Sequence, residues 1–226
     1  AYFTNTSFLQ YGQWSTSYAN TYRHSDNLMI QAALRVSYTS PKVMHWITGL
    51  LLWLEEDDNT FKLNSYCEVA EQIARSSIID NFFSACENGD YRLGVGTPHI
   101  VFNYLDYLIW KSNRNFYKDF SFEFRNSVEH WYPRHPSESE IKIWDDGGVD
   151  RFGNLCIIQR NVNSKFSNLP PEGKKTSFRT MIEKGSLKLR LMSELTIPGN
   201  GIPASQDWKD HICEEHERDM INMLSA

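Results

Sequence analysis

Apolar positions recur at helical spacing over most of the first half of the chain. Leu28, Ile30, Leu34 and Val36 follow Ser25-Asp26, a cap signal, and predict a helix over residues 26–39. Pro41 sets the next break. Val43, Trp46, Ile47, Leu50, Leu51 and Leu54 predict a second helix over 42–56, closed by the acidic run 55–58. Tyr66, Val69, Ile73, Ile78, Phe82 and Phe83 predict a third over 64–87, stopped by Asn88-Gly89. A loop at Gly94, Gly96 and Pro98 precedes a fourth helix over 99–112, with Ile100, Tyr104, Tyr107 and Leu108 as its apolar positions.

The period then changes. Residues 120–132 alternate aromatic and polar positions, which predicts a strand ended by Pro133 and Pro136. Residues 137–153 are acidic and Gly-rich, a loop with room for a short element at 141–144. Residues 154–159 read as a short buried strand. Residues 161–168 read as a turn into a helix, and 175–195 as a helix broken at Gly185-Ser186. A Pro/Gly loop over 197–203 leads to a last helix over 205–224, with Ser205 as cap and Trp208, Ile212 and Met220 on one face. The expected class is α+β: a mostly helical chain holding one small hairpin-and-helix unit.

Composition narrows the options. Apolar residues make up 41% of the chain and aromatics 14%, so it is globular, and 226 residues suffice for a core without staples. The longest apolar run, 46–54, is too short to span a bilayer. The start, Ala1-Tyr2-Phe3-Thr4, is no signal peptide and lacks an initiator Met; it reads as a fragment of a longer chain, with a processed protein as the alternative. The four cysteines form no C-x-x-C pair, which argues against a Cys-built zinc site. Cys67 and Cys156 sit among apolar neighbours as buried thiols, and a reducing, intracellular setting is expected.

The net charge of −5 does not suggest a nucleic-acid binder, but its distribution does. Residues 151–190 carry 9 Lys+Arg against 2 Asp+Glu, while 191–226 carry 2 against 7. Within the basic stretch, Arg151, Arg160, Lys165 and Lys175 are the candidate DNA contacts.

Three positions inside or beside that stretch carry the candidate chemistry. Glu129-His130 ends a strand, Gly153-Asn154-Leu155 opens another, and Asn163 follows nine residues later. Phosphodiester cleavage needs a base near neutral pH, for which His is suited. It needs a hard cation to neutralise developing charge, held by carboxylate and amide oxygens with water. It also needs a group that holds the base in place, which an Asn can do. Each residue alone has an ordinary reading: Asn154 as a turn residue, Asn163 as a helix cap, His130 as a satisfied core or surface His.

The strings Glu129-His130-Trp131-Tyr132-Pro133, Gly153-Asn154-Leu155 and Asn163-Ser164-Lys165-Phe166-Ser167-Asn168, with Lys174, resemble the HNH (ββα-metal, His-Me finger) nuclease domain. More narrowly, they resemble the variant at the C-terminus of GmrSD-type modification-dependent restriction enzymes. The resemblance covers roughly residues 121–185. It implies a nuclease core there, preceded by a helical region over 1–120 and followed by packing helices over 186–226. It implies that His130 is the general base and that Asn154 tethers the hairpin. Glu129 and Asn163 are the implied ligands of Mg²⁺, Mn²⁺ or another divalent cation, and Lys165 and Lys174 the implied groups near the phosphate. The implied substrate is DNA, modified or not, in the cytoplasm of a prokaryote defending itself against foreign DNA. The implied partner is a nucleotide-dependent module, N-terminal or on a separate chain, because no Asp-Gly-Gln-Gln-Arg-type motif occurs here.

Two features depart from the broader HNH pattern. Glu129 stands where Asp is usual, and Asn154 lies 24 positions after His130, a gap filled by the acidic loop with Asp145-Asp146-Gly147-Gly148. Asn161 is a competing ligand candidate and His135 an accessory one. Two other readings stay open: a catalytically silent DNA-binding or assembly module, and an RNA-directed nuclease or toxin.

Overall fold

The structure is a computed structural model; it describes residues 3–10, 13–20, 26–56, 63–137, 148–196, 208 and 210–226. The expected elements at 141–144 and 197–203 and the Ser205 cap lie outside the described residues.

Four helices build the first layer: α1 (Asp26–Ser37), α2 (His45–Glu56), α3 (Leu63–Asn81) and α4 (His99–Ser112). Helix α4 is the central one. Ile100, Val101, Phe102, Tyr104, Leu105, Tyr107, Ile109 and Trp110 are all buried, so almost its whole circumference meets protein. It packs against α1, α3 and two later helices. Helix α3 stops six residues before the expected end at residue 87. Phe82 leaves helical geometry (φ −122°, ψ −61°) and buries its ring against Phe83, Tyr91 and Phe152. The chain then passes through Asn88 and Gly89, both at positive φ.

The N-terminal stretch contains an antiparallel hairpin, β1 (Phe3–Gln10) paired with β2 (Gln13–Asn20), which the helical reading did not foresee. Its Thr- and aromatic-rich composition suits a pleated ladder.

A second antiparallel pair, β3 (Ser127–His130) and β4 (Leu155–Ile158), joins His130 opposite Leu155 and Ser127 opposite Ile158. The strand expected over 120–132 is therefore a four-residue ladder. Phe120 and Phe122 alternate because they pack into the core, not because they pair with a strand. After β4 come α5 (Arg160–Phe166), α6 (Pro171–Ser177), α7 (Arg179–Glu183), α8 (Leu187–Leu195) and α9 (Asp210–Ser225). The expected break at Gly185-Ser186 is present, with Ser186 capping α8 by accepting from the Leu189 amide. Pro171 starts α6 four residues before the expected helix, at a position where its missing N–H costs nothing.

Two apolar cores meet at β4. Leu155 and Ile157 face the first, formed with α1, α3, α4 and the end of α9. Cys156 and Ile158 face the second, with Trp131, Phe166, Leu189, Met192 and Trp208. Alternation along one buried strand thus joins the helical layer to the later helices. The α+β class expected from the pattern holds. No described helix is long and apolar enough to cross a membrane.

Candidate active site at the β3–β4 hairpin

Glu129 and His130 are consecutive on β3, so their side chains leave opposite faces of the hairpin. On one face Glu129 is buried and accepts from Lys174, whose Nζ lies 2.8 Å from Oε1. Lys174 has no solvent exposure, and its ammonium also donates to the carbonyls of His130 (2.6 Å) and Trp131 (3.1 Å). Its three protons are all used inside the protein. Burial lowers the Lys174 pKa, opposed by the Glu129 carboxylate. Asn163, half-buried on α5, donates to Ser127 Oγ at 2.6 Å, and Ser127 shares the face of Glu129.

On the other face, the His130 ring lies at the end of the strand with 13% side-chain exposure. Its Nε2 is 2.8 Å from Oδ1 of Asp150, the last residue of a 3₁₀ turn at Gly148–Asp150. Arg134 donates to both oxygens of the same carboxylate. Burial works to raise the Asp150 pKa, but hydrogen bonds from Arg134 and His130 outweigh it and hold the carboxyl below its ordinary value.

Asn154 ties the hairpin together. It is fully buried at the end of the 3₁₀ turn Phe152–Asn154. Its Oδ1 accepts from the Tyr132 amide (2.8 Å) and from Trp208 Nε1 (3.1 Å). Its Nδ2 donates to the carbonyls of Tyr132 (3.0 Å) and Val149 (2.8 Å). All four hydrogen-bonding sites of one side chain are filled. The neighbouring Gly153 is required by close approach: a Cβ there would lie 2.3 Å from the Cys213 carbonyl oxygen on α9. Its amide donates to Glu217 Oε2 at 3.0 Å, which seats α9 on the turn.

The basic stretch is less basic at the surface than its count suggests. Lys188 is fully buried and donates to the carbonyls of Phe152, Gly153 and Leu155; burial lowers its pKa to about 8. Arg151 pairs with Glu214 at 2.7 Å, and Lys175 donates to the Thr196 carbonyl at 2.6 Å. Arg160 and Lys165 are exposed on α5, as is Asn161; His135 is exposed after the strand. Of the expected buried thiols, Cys156 is buried and Cys67 half-buried.

The structure therefore gathers Glu129, Lys174 and Asn163 on one side of the hairpin, places His130 at its end, and makes Asn154 the tie. Asp150 and Arg134 were missed in the sequence. The only signal for Asp150 was one more acid in an acidic loop, and nothing in a helical or strand period marks it.

The family model for GmrSD restriction endonucleases, C-terminal domain, matches residues 79–223, well over half of the chain. Comparison with curated proteins and with solved structures gave no match. The chain belongs to the family of GmrSD restriction endonuclease C-terminal domains.

Proposed function

We propose that this member of the GmrSD C-terminal family is a metal-dependent DNA endonuclease of the HNH type, with residues 121–185 as its core and His130 as general base. The observation that carries the reading is Asn154: one buried side chain binds both the amide and the carbonyl of Tyr132, two residues after His130, and the Val149 carbonyl in the loop that precedes β4. Such a tether fixes the base without using the base's own hydrogen bonds.

Glu129 and Asn163 carry the oxygen donors that a hard divalent cation takes, and they would hold it through the Glu129 oxygen not engaged by Lys174 and through Asn163 Oδ1. Among the described residues no group of three or more His, Cys, Asp or Glu could hold a metal. A cation held by few protein oxygens and several waters is the habit of Mg²⁺. When bound, the cation would neutralise charge developing at the phosphate and the leaving 3′ oxygen. His130 takes the proton of the attacking water, whose oxygen bonds to phosphorus as the bond to the 3′ oxygen breaks. Lys174, expected beside the phosphate, we assign instead to positioning: it holds Glu129 in one rotamer and pins the backbone of His130 and Trp131. Arg160 and Lys165 are exposed and, among the described residues, are the cations of the expected set left to meet the DNA backbone. The setting is restriction of foreign DNA in a prokaryotic cytoplasm, together with a nucleotide-dependent module.

The test is nicking of plasmid, unmodified and modified, with Mg²⁺ or Mn²⁺, comparing the parent chain with His130→Ala. Cleavage that needs the metal and falls by about 10²–10⁴-fold in the variant is expected. Equal nicking by both proteins would remove His130 from the chemistry.

A further inference from the structure

The carboxylate of Asp150 is held more firmly than an ion pair at a loop requires. Arg134 engages both of its oxygens from one side. The preceding residue, Val149, is anchored through its carbonyl by Asn154 Nδ2. From a third direction the backbone closes on it at Gly94, which sits at φ +55° in the turn Gly94–Gly96. A Cβ on Gly94 would lie 2.8 Å from Asp150 Oδ1 and 3.0 Å from its Cγ. Only glycine accepts both the conformation and the closeness. Contacts from three segments, two of them distant in sequence, thus hold the carboxylate against His130 Nε2.

An ionised carboxylate can only accept. The hydrogen in the 2.8 Å contact therefore belongs to Nε2, and in the neutral ring Nδ1 carries the lone pair. We propose that Asp150 is a positioning residue that fixes His130 in the Nε2–H tautomer and makes Nδ1 the atom that accepts the proton of the attacking water. This rests on the nuclease reading above. On proton transfer the ring gains a hydrogen at Nδ1, keeps the one at Nε2, and its new positive charge faces the Asp150 carboxylate. The residue pair is thus an orienting acid and a base, assembled across 20 positions of sequence by a turn outside the motif strings.

The isosteric variant Asp150→Asn tests it. Arg134 meets both oxygens and offers only donors; the amide oxygen keeps it at the Oδ2 position, and the NH₂ that replaces Oδ1 gives up that contact and faces His130. An NH₂ facing Nε2 forces the hydrogen onto Nδ1, the wrong tautomer for a base there. Long-range ¹H–¹⁵N spectra of the His130 ring, recorded where it is neutral and assigned by its absence in His130→Ala, read the tautomer directly. The parent is expected as Nε2–H and Asp150→Asn as Nδ1–H. Metal-dependent nicking should then lose about 10²–10⁴-fold in kcat with KM unchanged, as wrong-tautomer variants of other His-dependent hydrolases do. An Nδ1–H ring in the parent overturns the assignment without any variant. So does an Asp150→Asn protein whose tautomer is unchanged and whose kcat stays within about twofold of the parent. A parent that cleaves neither modified nor unmodified DNA sinks the nuclease reading itself, while the spectrum still reports whether Asp150 orients the ring.

Discussion

The hairpin β3–β4 and the central helix α4 are both deeply buried, and both bury polar side chains, yet they treat them differently. At the hairpin, Asn154 fills all four of its hydrogen-bonding sites and Lys174 all three of its donors. On α4, Asn103 Oδ1, Asp106 Oδ2 and Trp110 Nε1 have no hydrogen-bond partner among the described residues. Asp106 accepts from the Lys188 amide at 2.9 Å, but burial still drives its pKa up to about 6, against the opposing Arg125 charge. The helical layer tolerates such orphans because stacked aromatics such as Tyr104, Tyr107 and Trp110 carry its stability. The hairpin cannot, because there the polar groups set where His130 and Glu129 stand. Complete satisfaction is a sign of pre-organisation, and it marks the site more sharply than burial does.

The strongest way to break this contrast is Asn154→Ala. It strips partners from the Tyr132 amide and carbonyl, the Val149 carbonyl and the Trp208 indole. The expected loss is about 4–5 kcal/mol in urea unfolding, against roughly 1 kcal/mol for Asn103→Ala on α4. Lys174→Met comes next. It leaves the Glu129 carboxylate buried without its cation and should cost about 3–5 kcal/mol. Adding Glu129→Gln should return part of that loss, and a double-mutant cycle with no coupling would refute the pairing.

The orphaned side of the comparison is sharpened by pH. The folded-state pKa of Asp106 is raised to about 6 from 3.8, so the folded protein binds the extra proton between these values. Its contribution is fully present below about pH 4 and is lost as pH rises through 6, on the order of 3 kcal/mol. Asp106→Asn should lack this downward slope when stability is followed from pH 4 to 7; a parallel profile for parent and variant would refute it.

The smallest effects belong to the surface. Removing Arg160 or Lys165 should weaken duplex binding and lower the slope of log affinity against log salt by about one per cation. Arg151→Ala and Lys175→Ala should leave that slope nearly unchanged, because Glu214 and the Thr196 carbonyl already hold those charges.

Much of this was legible in the chain. The helical period over 99–112 matches α4 to the residue, and Gly185-Ser186 marks a real break. The strings Glu129-His130, Gly153-Asn154 and Asn163 do come to one hairpin and the helix after it. What failed did so for identifiable reasons. Phe82 continues the apolar period of α3 but ends the helix, since burying its ring in an aromatic cluster outweighs one more helical turn. Phe120 and Phe122 alternate like a strand, but no strand among the described residues pairs with them. The basic excess of residues 151–190 suggested a DNA-facing surface, and two of its lysines, Lys174 and Lys188, are buried among carbonyls.

The amino-acid sequence by itself determined the local periods, the breaks and the motif strings, because these depend on residues a few positions apart. It could not say that Lys174 would meet Glu129 from 45 positions away or that Gly94 would close on Asp150. Nor could it say that His130 and Glu129 would leave opposite faces with different partners. Those outcomes follow from how remote segments pack, and only the tertiary structure places one segment's polar atoms within hydrogen-bond reach of another's.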